Sequence, residues 1–364
     1  ELQQQTLTDL TAKLGKNFSF YAIGLGNAGA DFVALDRLAA LVQSQGSTGT
    51  FVYSDLSCLK LGEAFSSVAT SVTASRTEKL AVKDGEKVQR KEKDVKLRSK
   101  HVLTSQRSFV RHTECISRWK YDHHKYKRGE TWPWTKVVFR NPACTGFEME
   151  KDPFGKGAER LAYMFKEVDK HSRPKGKDMV AKETKYVHND EDRKTQFHET
   201  FCRTQQKANE LAVEFNKAVR KTPSLKPIDR KTFHTPDISF LKCFVYEYNA
   251  SDGTLCGVLV EDYLKGRYTK FNGNNGYVKK SRRNERKLEL EIGEVYMPDF
   301  VQAFSHWVYV QSDQKMLLCD LQGVLNEEGR YPKFQLTDPC ICTKGKAGKK
   351  LYGSTNMGYK AIRL

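Results

Sequence analysis

Over residues 192–221 apolar side chains recur at steps of three, four and seven, Phe197, Phe201, Ala208, Leu211, Phe215 and Val219, against a charged background. That period lines them along one side of a single α-helix. About 30 residues at ~1.5 Å each make a rod of roughly 45 Å, long enough to span a lobe. A helix with one apolar side must bury it against another layer, and the segments around this one carry strand rather than helix signals. From 129 to 364 the pattern is therefore that of a mixed α+β domain.

Upstream the pattern differs. Residues 1–75 alternate α and β: a helix on Leu2, Leu7, Leu10 and Leu14, the apolar run FSFYAIGLG at 18–26, and a helix capped by Asp31 with Phe32, Leu35, Leu38, Leu41 and Val42 near one face. The short strand TFVYS at 50–54 and a further amphipathic helix complete an α/β layer. Over 76–128 the composition turns basic, 17 Lys and Arg against 7 Asp and Glu, and the first half has no sustained apolar stripe. This stretch reads as a basic linker or arm. Strand signals resume at TWPWTKVVF, 131–139.

The net charge of +18, from 62 basic and 44 acidic residues, predicts attraction to acidic partners, whether nucleic acid, anionic lipid or an acidic protein surface, without choosing among them. The 9 cysteines are scattered, several in apolar runs, the usage of free thiols in a reducing, cytoplasmic compartment. No run of about 18 apolar residues, the length of a membrane span, occurs. The N-terminus shows neither the basic nor the apolar region of a secretion signal, and it lacks an initiator methionine, which suggests a piece of a longer chain.

Several motifs carry chemistry. GLGNAG at 24–29 satisfies G-x-G-x-x-G after a strand, with Asp55 following the next strand, as a dinucleotide site would. The pattern then runs into the basic stretch, so the second half of such a fold has no sequence to form it. DPFGKGAERLAY at 152–163 offers small residues that let backbone amides approach phosphate, and Arg160 adds a fixed positive fork; a β-turn with a surface arginine reads as well. In MVAKETKYV, 179–187, Lys182 follows the apolar Val180 and Ala181. Pointing inward, its ammonium needs a carboxylate or a phosphate; pointing outward, it lays its stem on the strand and its head in water. Glycine turn, strand and inward strand lysine are the layout of a kinase N-lobe, in which the lysine holds the nucleotide phosphates.

Farther on, the strand Val258, Leu259, Val260 ends at Glu261 and Asp262, which suits either a hinge reading an adenine edge or a plain strand terminus. NGNNG at 272–276 is a tight loop with Asn274 as a candidate ligand contact. In MLLCDLQGV the alternation of a strand puts Asp320 and Gln322 on one face and Cys319 and Leu321 on the other. LTDP at 336–339 brings Asp338 after a turn-rich connection, either as a third oxygen donor or as the start of a turn before Pro339. Carboxylate and amide oxygens such as these suit Mg²⁺ held together with nucleotide phosphates. Finally, GSTNMG at 353–358 is a glycine-framed loop, an anion or substrate cradle or a plain surface loop.

In this order, PFGKGAERLAY, VAKE, VED, KFNGNNG, AFSHW, CDLQGV, LTDP and GSTNMG resemble the catalytic domain of the alpha-kinases, a family of atypical serine/threonine protein kinases. The resemblance runs from about Trp132 to Leu364. It implies a two-lobed α+β kinase with ATP in the cleft. It also implies Lys182 and Arg160 at the phosphates, Glu261 at the adenine hinge, Asn274 among the nucleotide contacts, Asp320 as the catalytic aspartate beside Asp338, and Gln322 and Asp338 at Mg²⁺. Gly353, Asn356 and Gly358 would belong to the loop that engages the protein substrate, with Thr355 where the family has a middle glycine. His306 matches a structural Zn²⁺ ligand whose other ligands come from an H-x-C-x-x-x-C segment that would follow Leu364, so the site is incomplete here. Cys340 and Cys342 are poor matches to that zinc pattern. Residues 1–75 resemble the C-terminal part of a von Willebrand factor type A domain, a partial α/β layer without the D-x-S-x-S metal segment. The function implied is ATP-dependent phosphorylation of a protein hydroxyl. The alternative is an inactive kinase-like module that binds acidic partners or nucleic acid.

Overall fold

The structure, a computed structural model, describes residues 2–15, 18–26, 30–54, 92–98, 107–113, 116–122, 135–138, 141–157, 159–187, 191–229, 234–250, 253–281, 283, 285–327, 331–345, 348, 351–353 and 355–362. The chain forms two compact units, Glu1–Lys83 and Asp84–Leu364. Among the described residues no helix is long and apolar enough to cross a membrane.

In the first unit α1 (Leu2–Leu14) precedes β1 (Ser19–Leu25), α2 (Val33–Ser44) and β2 (Thr48–Ser54). The two strands pair in parallel from Ser19 opposite Thr48 to Leu25 opposite Ser54, so α2 is the crossover that parallel pairing requires. Leu7, Leu38 and Val42 bury against Phe18 and Phe20. Asp31 accepts the Val33 N–H at 2.9 Å, while Phe32 holds the cap position itself. Residues 27–29 of the glycine motif, Asp55 and the helix expected after it lie outside the described residues.

The second unit opens with β3 (Phe109–His112), β4 (Ser117–Asp122), β5 (Thr135–Val138), β6 (Gly146–Glu150), β7 (Gly155–Lys156), β8 (Arg160–Val168) and β9 (Pro174–Thr184). It continues with α3 (Glu191–Lys221), β10 (Asp237–Phe240), β11 (Cys243–Asn249), β12 (Leu255–Asp262), β13 (Thr269–Lys270), β14 (Lys287–Leu290) and β15 (Gly293–Tyr296). Then come α4 (Met297–Gln311), β16 (Met316–Cys319), β17 (Gln322–Asn326), β18 (Lys333–Thr337), β19 (Cys340–Thr343) and α5 (Tyr359–Ile362). One sheet runs β3-β6-β8-β9-β12-β11-β4-β5 with β7 hairpinned onto β8, and a second runs β10-β18-β17-β13.

Strands β3 and β4 fall inside 76–128, so the stretch expected as a linker contributes to the large sheet. Its basic residues hid this. Trp119 is fully buried and pairs with Val245, whereas its neighbour Arg118 turns in on the other face toward the Glu167 carboxylate at 3.5 Å. A strand with an ion-paired arginine on one face shows no apolar stripe.

The large sheet has two faces, and period-2 alternation assigns them. Phe147, Leu161, Phe165, Ala181, Tyr246 and Val258 cluster on one. Trp119, Val245 and Leu259 meet Phe201 and Cys202 of α3 on the other. Farther along, Ala208, Ala212, Phe215 and Val219 of α3 enter a second core with Phe300 and Phe304 of α4 and Ile238 and Phe334 of the smaller sheet. The small residues Ala208 and Ala212 admit close approach, and each large side chain buried there contributes roughly 1.5–3 kcal/mol. Asn216 exchanges hydrogen bonds with both backbone groups of Ile238, at 2.8 and 3.0 Å. Asn209 accepts the Phe240 N–H at 3.0 Å, so the outer edge of β10 is satisfied by helix side chains. One helix thus joins the two cores, which makes the unit a mixed α+β fold.

Candidate active site

Three ionic side chains share the α3-facing side of the large sheet because of register alone. Lys182 lies between Ala162 of β8 and Leu259 of β12, and directly opposed residues point to the same face. Leu259 faces α3, and so does Lys182. Arg160 is two residues from Ala162 and Glu261 two from Leu259, which puts them on that face as well. Glu261 carries the one buried carboxylate of β12, after the apolar Val258, Leu259 and Val260 and before the exposed Asp262.

The two aspartates come from an interrupted ladder. Gln322 pairs with Thr337 and Cys319 with Cys340, leaving Asp320 and Leu321 across from Asp338 and Pro339. Both aspartates have left-handed backbones, φ 56 for Asp320 and φ 53 for Asp338. The segment expected as one strand is therefore two, β16 and β17, which belong to different sheets. Simple alternation does not govern Asp320 and Gln322; a kink does, since a left-handed residue redirects the chain and ends the ladder.

These pieces converge. The Lys182 ammonium donates to Glu261, to Thr337 Oγ1 at 3.0 Å and to Asp338 Oδ2 at 2.8 Å. Arg160 donates to Asp338 Oδ1, and its guanidinium lies 3.9 Å over the Phe201 ring, a cation–π contact that fixes the fork. Thr337 donates to the Glu261 carboxylate, at 2.8 and 2.7 Å from its two oxygens. Gln205 of α3 gives one N–H to Leu241 O at 2.9 Å and one to Glu261 Oε2 at 3.0 Å, and accepts the Asp338 N–H at 3.2 Å. Gln322 reaches the Asp338 carbonyl at 3.4 Å. Lys270, paired with Gln322 across β13 and β17, stands 2.8 Å from Asp320 Oδ1.

The two aspartates titrate in opposite directions. Burial pushes Asp320 up, with Lys270 and the Asn274 amide opposing. Burial also works against ionised Asp338, but Arg160 and Lys182 together hold its carboxyl well below the usual range. Asp338 therefore remains a carboxylate, and Asp320 is the better proton acceptor.

Other expected residues occupy different surroundings. Glu261, expected at an adenine edge, has its carboxylate committed to Lys182, Thr337 and Gln205. Asn274 is 3% exposed, its side chain 4.0 Å from Cys340 Sγ and its backbone N–H on Asp320, so it supports the site from behind. Asn356 is 1% exposed. It accepts the Thr343 and Gly358 N–H groups and donates to Thr343 Oγ1, pinning the glycine loop to β19. Gly353 has φ 75, and a Cβ there would sit 2.6 Å from Thr200 Cγ2; Gly358 is left-handed too. His306, expected to bind zinc, is exposed on α4 with Tyr309 as its ring neighbour. Among the described residues zinc-type ligands gather at Cys319, Cys340 and Cys342 and not around it, so the histidine does not fit a zinc site here. The Asp338 carboxylate and Gln322 amide do fit the oxygen chemistry of Mg²⁺.

Sequence reading missed Lys270, Thr337 and Gln205. The first two stand inside the quoted motifs KFNGNNG and LTDP, so their position was a signal; Gln205, a polar residue on a long helix, offered none.

Residues 155–364 match the alpha-kinase family model. The chain is 30% identical over 223 residues to alpha-protein kinase vwkA of Dictyostelium discoideum, covering 61% of this chain and 29% of that protein. It is 27% identical over 257 residues to myosin heavy chain kinase B of the same organism, 70% of this chain and 27% of that one. To eukaryotic elongation factor 2 kinase of Caenorhabditis elegans it is 28% identical over 218 residues, 59% and 22%. The chain thus spans less than a third of the length of these relatives. Among solved structures, the alpha-kinase domain of myosin heavy chain kinase A with ADP aligns at 21% identity and TM-score 0.45, over 68% of this chain and 88% of that one.

Proposed function

The chain belongs to the alpha-kinase family, and on that premise we propose that it is an ATP-dependent protein kinase that moves the γ-phosphate of ATP to a serine or threonine hydroxyl of a protein. One observation supports this above the rest: a buried ammonium, a stacked guanidinium and the Asp338 carboxylate meet at one point, with a second aspartate, Asp320, beside Lys270 across the same kinked ladder.

Lys182 and Arg160 hold the phosphates, Lys182 kept in place by Glu261 and Thr337. Phosphoryl transfer is positioning and charge neutralisation more than covalent work by the protein. The three cations Arg160, Lys182 and Lys270 already face three carboxylates, Glu261, Asp320 and Asp338. A triphosphate therefore needs further positive charge, which Mg²⁺ would supply if held by Asp338 and Gln322. Asp320 orients the substrate hydroxyl and accepts its proton; the oxygen bonds to the γ-phosphorus as the bond to the β–γ bridging oxygen breaks and ADP departs. Asn274 holds Asp320, and Asn356 shapes the loop between Gly353 and Gly358 that faces substrate.

The parallel β1–α2–β2 unit supports reading residues 1–75 as the C-terminal part of a von Willebrand factor type A-like domain. Free thiols at Cys144, Cys202, Cys243 and elsewhere support a reducing, cytoplasmic setting. The basic excess over 76–128 supports docking on acidic surfaces.

The test is transfer of labelled γ-phosphate from ATP to a basic protein. Wild type should label serine or threonine, and Asp338→Ala and Asp320→Ala should each lose about 10²–10³-fold or more in rate. Equal labelling by all three would reject the assignment.

A further inference from the structure

Three thiols meet immediately behind the two aspartates, and the phosphoryl chemistry makes no use of them. Cys319 ends β16, directly opposite Cys340 of β19, and Cys342 is opposite Leu317. Their residues are 3%, 1% and 0% exposed. The sulfur of Cys342 is 4.0 Å from that of Cys319 and 3.8 Å from that of Cys340, and all three sulfurs lie within 4.8 Å of one another. None is in a disulfide.

The convergence is not what strand geometry gives by default. Side chains two apart on a strand stand about 6.6 Å from one another, yet the sulfurs of Cys340 and Cys342 close to 3.8 Å, and a third from the neighbouring strand leans to the same place. Zinc–sulfur bonds of about 2.3 Å in a tetrahedron set sulfur–sulfur edges of about 3.8 Å. The separations of 3.8 and 4.0 Å lie at that edge length and just above it. The carbonyl of Thr355, 2.9 Å from Cys340 Sγ, adds an oxygen donor beside the trio.

We propose that Cys319, Cys340 and Cys342 form a zinc site that clamps β16 to β19 and fixes the kinks bearing Asp320 and Asp338. Binding releases the three thiol protons to solvent, and the S–H contacts are replaced by three Zn–S bonds. The site differs from the one implied for His306, which lies exposed on α4. Zinc binding stands apart from the kinase reading, since it needs only the three cysteines; the effect on the aspartates rests on that reading.

The experiment is metal analysis of the full chain purified without chelator, followed by cobalt(II) titration of the metal-depleted protein. We expect about one zinc per chain and, with cobalt, the intense near-ultraviolet thiolate-to-metal absorption of several sulfur ligands. Cys342→Ala and Cys319→Ala should lose at least about ten-fold in metal affinity along with that absorption, whereas His306→Ala and Cys202→Ser should keep both. A wild-type chain with neither zinc nor a cobalt–thiolate band overturns the proposal, whatever the variants do. So does metal that persists unchanged in Cys342→Ala or vanishes only in His306→Ala.

Discussion

Gln205 carries no charge, yet its amide links the end of β12 to the turn after β18, accepting from the Asp338 backbone and donating to Glu261. Its alanine variant leaves a buried carboxylate oxygen and a backbone N–H short of partners. Gln205→Ala should therefore lower unfolding free energy by about 1–3 kcal/mol in denaturant titration; no loss would mean that water replaces the amide without penalty. Side chains of this kind are what a sequence conceals. Lys182 was legible because a charge inside an apolar strand demands a partner. Asp320 and Asp338 were legible as oxygen donors beside apolar runs. Gln205 sits on a helix whose background is polar throughout, where a buried glutamine and a solvated one look alike. Glu261 was read as an adenine contact because its partner, Lys182, is 79 residues away in sequence.

Among elements, the long helix was legible from period alone, with its observed bounds Glu191–Lys221 against an expectation of 192–221. The break between β16 and β17 was not, since a left-handed aspartate leaves no mark in an apolar run. Gly323 follows directly in β17 with φ 155, and a Cβ there would collide with the Gln335 carbonyl of β18. Gly323→Ala should cost about 3 kcal/mol from strain and overpacking, read as a lowered denaturation midpoint; a neutral result would mean that the β17–β18 ladder is looser than described. The hairpin from β8 to β9 turns on Asp169, which accepts the His171 and Arg173 N–H groups at 2.9 and 3.0 Å and the Arg173 side chain at 3.1 Å. The Arg173 backbone bond, opposed by burial, leads in holding its carboxyl well below the usual range. A carboxyl depressed by folding stabilises the native state above its unfolded value of about 3.9 and loses that contribution as pH falls toward the folded value. The gap in melting temperature between wild type and Asp169→Asn should thus be widest near neutrality and shrink below about pH 4. A gap independent of pH would contradict the assignment.

At the scale of the whole molecule, charge was the least informative signal. The basic surplus over 76–128, 17 Lys and Arg against 7 Asp and Glu, suggested a linker or arm, but part of that stretch is strand, its Arg118 neutralised by a carboxylate contributed from elsewhere in the sheet. Family resemblance worked better than composition because motif order preserves what the fold must bring together. Lys182, on the large sheet, and Asp338, beside the small one, are separated by 156 residues and joined at 2.8 Å. Calorimetric titration with ATP, with and without Mg²⁺, examines that junction most directly. Wild type should bind ATP tightly only with Mg²⁺, Lys182→Met should bind about 10–100-fold more weakly, and Asp338→Asn should lose the Mg²⁺ dependence. Folded Lys182→Met and Asp338→Asn proteins that bind Mg²⁺ and ATP as tightly as wild type would contradict the site described.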